Sequence, residues 1–229
     1  MDNQHYVGSE HVASSGLMTR VFAWMFAGLA LTAIISFFVL ADGGMITYFE
    51  QNMMVFYGLL IGELILVFFL AARVHKMSVA TASFFFFFYA ALNGFTLSPL
   101  LSIYNVGSIG VVFAITAGMF GSMALYGYVT KRDLSKLGSI LFMALIGLII
   151  ASIANIFMNS GVLYWVISYV GVLIFCGLTA FDVQKIKRME AISMDEDNHA
   201  KAAIMGALAL YLDFINMFIF LLRIFGNRD

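Results

Sequence analysis

The sequence predicts an all-α membrane protein, a seven-transmembrane-helix bundle, and three observations carry that expectation. Hydrophobic residues fill 62% of the 229 positions and charged residues only 11%. So few charges cannot give a soluble domain of this size a polar surface. One proline beside 24 phenylalanines suits long apolar helices better than a loop-rich fold. Apolar stretches of about twenty residues recur along the chain, the length a helix needs to cross a hydrocarbon core of about 30 Å.

The expected organisation is a polar N-terminal tail, 1–20, followed by a transmembrane domain, 21–229. The first span, 21–40, is longer than the apolar core of a signal peptide. It runs into Ala41-Asp42-Gly43-Gly44 rather than a small-x-small cleavage site, so it reads as a retained helix. The second, 53–72, holds Glu63 and the pair Gly58-x-x-x-Gly62, a spacing that suits helix packing. The third, 79–99, contains five consecutive phenylalanines at 84–88, read as a lipid-facing and packing surface. The fourth, 109–129, carries Gly118 and Gly121 in a looser version of the small-residue pattern. The fifth and sixth are 137–158 and 162–181, and the seventh, 202–222, holds Asp213. The longest connection is 182–201, and no separate soluble domain is expected. The lone Cys176 excludes an intrachain disulfide, and a net charge of −1 offers no basic field to attract nucleic acid.

Lysine and arginine set the expected orientation. The tail has Arg20, the second loop Arg73 and Lys76, and the fourth Lys131, Arg132 and Lys136. The sixth has Lys185, Lys187, Arg188 and Lys201, while the first, third and fifth loops have none. A cytoplasmic N-terminus and an external C-terminus follow, in a bacterial inner (plasma) membrane. Arg223 and Arg228 fall on the other side. They also suit a second arrangement, in which the last segment re-enters and keeps the tail inside.

An ionisable side chain at the bilayer centre costs about 2.5–3.5 kcal/mol on insertion scales, so each one retained there requires a reason. Glu63 lies ten residues into the second span and Asp213 eleven into the seventh. Counted from the outer helix ends, both sit roughly 14–15 Å deep. Asp182 closes the sixth span, nearer the cytoplasmic face. It meets Asp213 only if the sixth helix runs past Phe181 or one of the two helices tilts or shifts. Two carboxylates in contact in a low-dielectric site cannot both ionise cheaply and share one proton. Such a pair is a proton sensor, or a calcium site when deprotonated, since calcium takes carboxylate and carbonyl oxygens. The competing reading is a buried acid satisfied by hydrogen bonds or an arginine.

Other polar groups carry less. Asn93, Asn155 and Asn216 are expected to bridge helices. His5, His11, His75 and His199 lie in tails or loops without metal-ligand spacing. Asp195-Glu196-Asp197 is expected to be a solvated loop without an EF-hand pattern. With no nucleophile–base pair, phosphate loop or His-Glu-x-x-His motif, no enzyme and no tightly bound cofactor are expected. A retinal protein is excluded because 202–222 has no lysine for a Schiff base.

The segment Ala207-Leu208-Ala209-Leu210-Tyr211-Leu212-Asp213-Phe214-Ile215-Asn216 resembles the signature of the Bax inhibitor-1 family. Phe181-Asp182-Val183-Gln184-Lys185-Ile186 is similar to that family's motif at the end of the sixth helix. Residues 118–133, with Leu125-Tyr126-Gly127 and Thr130-Lys131-Arg132-Asp133, resemble its bacterial inner-membrane branch. The resemblance implies seven helices with the last at the centre, and a pH-sensitive calcium leak controlled by an aspartate pair. That pair corresponds here to Asp182 and Asp213, which implies the contact that counting leaves open. It also implies an arginine late in the second helix that latches to the first aspartate, for which Arg73 is the nearest candidate. Glu63 looks like the family's acid in the second helix, on the ion pathway. The expected partners are the lipid bilayer, calcium ions and protons. The alternatives are a proton-coupled transporter, for which no inverted repeat is visible, and a non-transporting modulator of a membrane protease or stress response.

Overall fold

The computed structural model describes residues 16–190 and 195–228. Among them the chain forms eight α-helices, and the only other helical element is a single 3-10 turn, Val74–Lys76. In order the α-helices are α1 (Gly16–Asp42), α2 (Gly44–Gln51), α3 (Met53–Arg73), α4 (Val79–Leu101), α5 (Val106–Val129), α6 (Ser135–Met158), α7 (Gly161–Glu190) and α8 (Glu196–Phe225). All but α2 are long and apolar enough to cross a membrane, and each holds one of the expected spans. This is an all-α membrane protein. The short α2 fills the first connection, where no apolar window announces it. It follows Gly43, whose φ of 66° lies in the left-handed region and whose N–H donates to the Val39 carbonyl at 3.1 Å, a glycine stop to α1. Most of the expected tail, with His5 and His11, lies outside the described residues; Gly16 to Arg20 already belong to α1.

The main departure from expectation concerns the connection 182–201. Helix α7 continues nine residues past Phe181 to Glu190, and α8 begins at Glu196 rather than Ala202. The charges at Asp182, Lys185, Lys187, Arg188 and Glu190 end the apolar window without ending the helix, because Lys, Arg, Gln and Glu are good helix formers. The acidic run is likewise not a loop: Glu196 and Asp197 form the first turn of α8, where acidic side chains suit the helix dipole. Glu196 pairs with Arg20 at 2.9 Å and Asp197 with Lys201 at 2.6 Å.

The chain divides into two compact units. The first comprises α1 to α4 with residues 188–190 and 196–211; the second comprises α5, α6, the rest of α7 and residues 212–228. In the first unit α1 packs on α4 through small residues and hydroxyls. A Cβ on Gly94 would meet Ile35 at 2.7 Å and the Thr32 carbonyl at 2.9 Å, so only glycine admits this approach. Across the seam Thr32 donates to the Ala90 carbonyl at 2.8 Å and Ser36 to the Gly94 carbonyl at 2.9 Å. Hydroxyls that cross between helices in this way supply association energy that apolar surface cannot supply within lipid. Tyr211 of α8, fully buried, bonds the Thr32 hydroxyl at 2.7 Å and lies edge-on to Phe86 and Tyr89. The phenylalanine run divides as expected: Phe86 is buried, while Phe84 and Phe88 are exposed and stacked.

Two packing expectations fail. Gly58, Gly62, Gly118 and Gly121 are exposed, and a Cβ at any of them would meet open space. Within the long helices the glycines that admit close contact with a neighbouring helix are Gly28, Gly94, Gly127, Gly138, Gly171 and Gly177. Among the described residues the three asparagines form no hydrogen bond from one span to another. Asn93 and Asn216 donate to carbonyls four residues back on their own helices, and Asn155 accepts from the Ser160 N–H just beyond its helix.

In the second unit the C-terminal residues fold back on the start of α5 and α7. Asn105 N–H donates to the Asn227 carbonyl at 2.9 Å, and Asn227 N–H to Ser108 Oγ at 2.8 Å. Arg228 donates to Tyr164 Oη at 3.0 Å with its guanidinium 5.6 Å from the Tyr104 ring.

Candidate functional site

Asp182 and Asp213 come together in the second unit. Their carboxyl groups lie within side-chain hydrogen-bonding reach of each other, and Thr179 lies beside Asp213. The extension of α7 past Phe181 makes this possible. Asp182 is not a helix-end residue but stands eight positions before Glu190. The antiparallel run of α7 against α8 is continued by Phe175 stacked on Phe220 at 6.0 Å, whose ring occupies the space a Cβ on Gly171 would take.

Asp213 is 4% exposed and its Oδ2 has no hydrogen-bond partner among the described residues. The Thr179 hydroxyl gives its proton to the Phe175 carbonyl at 2.8 Å, which leaves it little to offer the carboxylate. Asp182 is half-buried, with Lys185 as the cation acting on it along its own helix. A hydrogen bond between two carboxyls requires that one be protonated. Removing that proton leaves two like charges in contact in a low-dielectric site.

Each aspartate sits on a segment that packing holds in place. On α7, a Cβ on Gly127 of α5 would lie 2.2 Å from the Ala180 carbonyl oxygen, and one on Gly138 of α6 would lie 2.6 Å from the Phe181 ring. The two residues before Asp182 are thus seated on two glycines. Two residues after it, Gln184 accepts from Leu134 N–H at 2.9 Å and donates to the Arg132 carbonyl at 2.8 Å, tying the α5–α6 loop to α7. Lys187 donates to the Tyr128 carbonyl and lies over the Tyr128 ring at 4.5 Å. On α8, Phe214 packs edge-on against Phe113 and Phe120 at 5.3 and 5.5 Å.

Profile comparison decides the relationship: the family described as "Inhibitor of apoptosis-promoting Bax1" matches residues 14–229. The chain belongs to the Bax inhibitor-1 family. It is 46% identical over 213 residues to the inner membrane protein YbhL of Escherichia coli, covering 92% of this chain and 91% of that one. An uncharacterized protein of Deinococcus radiodurans is 41% identical, over 93% and 90% of the two chains. One of Borreliella burgdorferi is 40% identical, over 96% and 95%. Family membership thus extends over both aspartate-bearing helices and the seats beneath them.

Glu63 and Arg73 belong to the first unit and share α3, ten residues or about 15 Å apart along its axis. Glu63 is 8% exposed and accepts a hydrogen bond from Thr96 Oγ1 at 2.8 Å. Arg73 is exposed at the last turn. Among the described residues no group of three or more His, Cys, Asp and Glu side chains stands where it could hold a metal. The aspartate pair alone offers four carboxylate oxygens, against the six to eight that calcium takes. Sequence reasoning missed Thr96 and Gly138, and the contacts of Gln184 and Gly127, both of which stand in the family-like motifs. Gln184 was visible as part of the sixth-helix motif, but nothing in spacing tied it to the distant loop it holds.

Proposed function

We propose that the protein is a pH-sensitive leak for calcium or a similar cation, gated by Asp182 and Asp213, in a bacterial inner membrane with the N-terminus cytoplasmic. The observation that carries this reading is the carboxyl–carboxyl contact at Asp213, buried in a span and with one oxygen unpartnered. A purely structural acid would be satisfied by donors, as Glu63 is by Thr96. With one proton shared, the pair carries a single negative charge and a carboxyl–carboxylate hydrogen bond that holds α7 and α8 together. On deprotonation the like charges repel and the oxygens become cation ligands. The incomplete oxygen set suits calcium as a transient, partly hydrated cargo rather than a resident ion. Arg73 as latch and Glu63 as a second acid on the pathway complete the proposal.

The test is calcium influx into liposomes containing the purified chain and a trapped indicator, recorded from about pH 6 to 8. Wild type is compared with Asp182→Asn and Asp213→Asn. A pH-dependent influx whose pH response disappears in both variants supports the gate. A folded protein that passes no calcium at any pH rejects the leak and favours a non-transporting partner of a membrane protease.

A further inference from the structure

Helices α6, α7 and α8 of the second unit line an open cleft of about 260 Å³. One wall is a single stripe of α6 from Leu145 to Ile156; the other is Phe175, Asn216 and Phe220. The stripe covers roughly 16 Å of helix, about half the ~30 Å hydrocarbon core, so it has the length of one leaflet. Its rim faces outward: Ile149, Ile153 and Ile156 are 52%, 52% and 73% exposed. A cleft of this kind open to a bilayer fills with hydrocarbon, since an unfilled void forfeits dispersion contacts along its whole lining.

The upper end of the cleft carries a charge. Phe220, which lines it, has the Arg223 guanidinium 5.3 Å from its ring centre, and the same guanidinium lies 5.6 Å from the Tyr164 ring. Asn216, Phe220 and Arg223 follow at i, i+4 and i+7, on one face of α8. Arg223 sits two residues before the end of α8 and forms no ion pair with a carboxylate among the described residues. A cation at that depth, resting on aromatic rings above an apolar slot, is complementary to a phosphate bearing an acyl chain.

We propose that this cleft is a phospholipid site, with one acyl chain lying along the α6 stripe and the phosphate on Arg223. Ser152, which among the described residues bonds only the Leu148 carbonyl of its own helix, lines the slot and can be enlarged without removing a described partner from another helix. Asn216, one turn from Asp213, forms the floor, so an occupied slot abuts the segment that carries the aspartate.

The experiment is native mass spectrometry of the full chain released from nanodiscs of phosphatidylcholine doped with phosphatidylglycerol. Wild type is expected to retain one phosphatidylglycerol. Ser152→Trp, which fills the slot, and Arg223→Gln, which removes the charge, are each expected to lower that retention several-fold. Ser152→Leu serves the same purpose if the tryptophan variant does not fold. Millimolar inorganic phosphate is expected to leave the bound lipid in place. A wild type that retains no lipid, or retention in both variants equal to that of wild type, overturns the site. Displacement by inorganic phosphate overturns the lipid in favour of a soluble anion.

Discussion

Glu63 and Asp213 are both acids buried within apolar helices, and the sequence marks them by the same signal. Their surroundings differ in kind. Glu63 has a hydroxyl aimed at it, Thr96 at 2.8 Å. Asp213 has another carboxyl beside it, a threonine whose proton is already committed to Phe175, and an oxygen without a partner. A buried acid that accepts a good hydrogen bond has paid part of its desolvation penalty, whereas one beside a second acid depends on a proton that pH controls. The difference separates an acid suited to lining or structure from one suited to sensing.

The largest effect expected follows from that separation. Asp213→Asn removes the shared proton, so the pH response of cation influx is expected to vanish. Glu63→Gln is expected to change the amplitude of influx at every pH while leaving its pH dependence in place. The sign is fixed by the pair: as pH rises the proton leaves, like charges face each other, and the stability of the closed α7–α8 contact falls. Paired pH profiles of the two variants in liposomes check this. A flattened profile in Glu63→Gln would join Glu63 to the sensor and erase the distinction.

Next in size is the seat beneath Asp182. Gly127→Ala places a Cβ 2.2 Å from the Ala180 carbonyl oxygen, a backbone atom that cannot swing aside. Overpacking of this kind costs about 1–3 kcal/mol. The thermal midpoint in detergent is expected to fall accordingly, and the α7–α8 contact to loosen with it. An unchanged midpoint would mean that α5 and α7 are not held at this separation.

How much of this was legible in the sequence depends on the range of the interaction. The spans, the two intramembrane acids and the motif around Asp182 are local patterns in composition, and each was readable. The meeting of Asp182 with Asp213 followed only from the family resemblance and was invisible to residue counting, because the charges after Phe181 mimic a helix end in a hydropathy window while the backbone continues to Glu190. The Thr96–Glu63 bond and the hold of Gln184 on Arg132 and Leu134 were also invisible. They join residues tens of positions apart, and a threonine or glutamine in a helix carries no mark of what it faces.

Thr96→Val tests the satisfied acid directly. It keeps the shape of the side chain and removes the donor, leaving a buried Glu63 oxygen unpaired at about 1–3 kcal/mol. The expected result is a lower thermal midpoint with the pH dependence of influx retained. Loss of the pH dependence instead would show that the Thr96 bond tunes the gate as well as the fold.

The smallest effect concerns a motif that looked important and touches nothing. Gly58 and Gly62 have the spacing of a helix-packing pair, yet a Cβ at either would stand in open space on the exposed side of α3. Alanine at an exposed helix position removes the excess backbone freedom of glycine, worth roughly 0.5–1 kcal/mol in favour of the helix. Gly58→Ala and Gly62→Ala are therefore expected to leave the thermal midpoint unchanged or slightly raised, against the fall expected for Gly127→Ala. The contrast isolates the physical variable, since all three exchange glycine for alanine within an apolar helix and differ only in what the new methyl group meets. A fall in midpoint at Gly58 or Gly62 as large as that at Gly127 would place a neighbour on this face of α3 that a single chain does not supply.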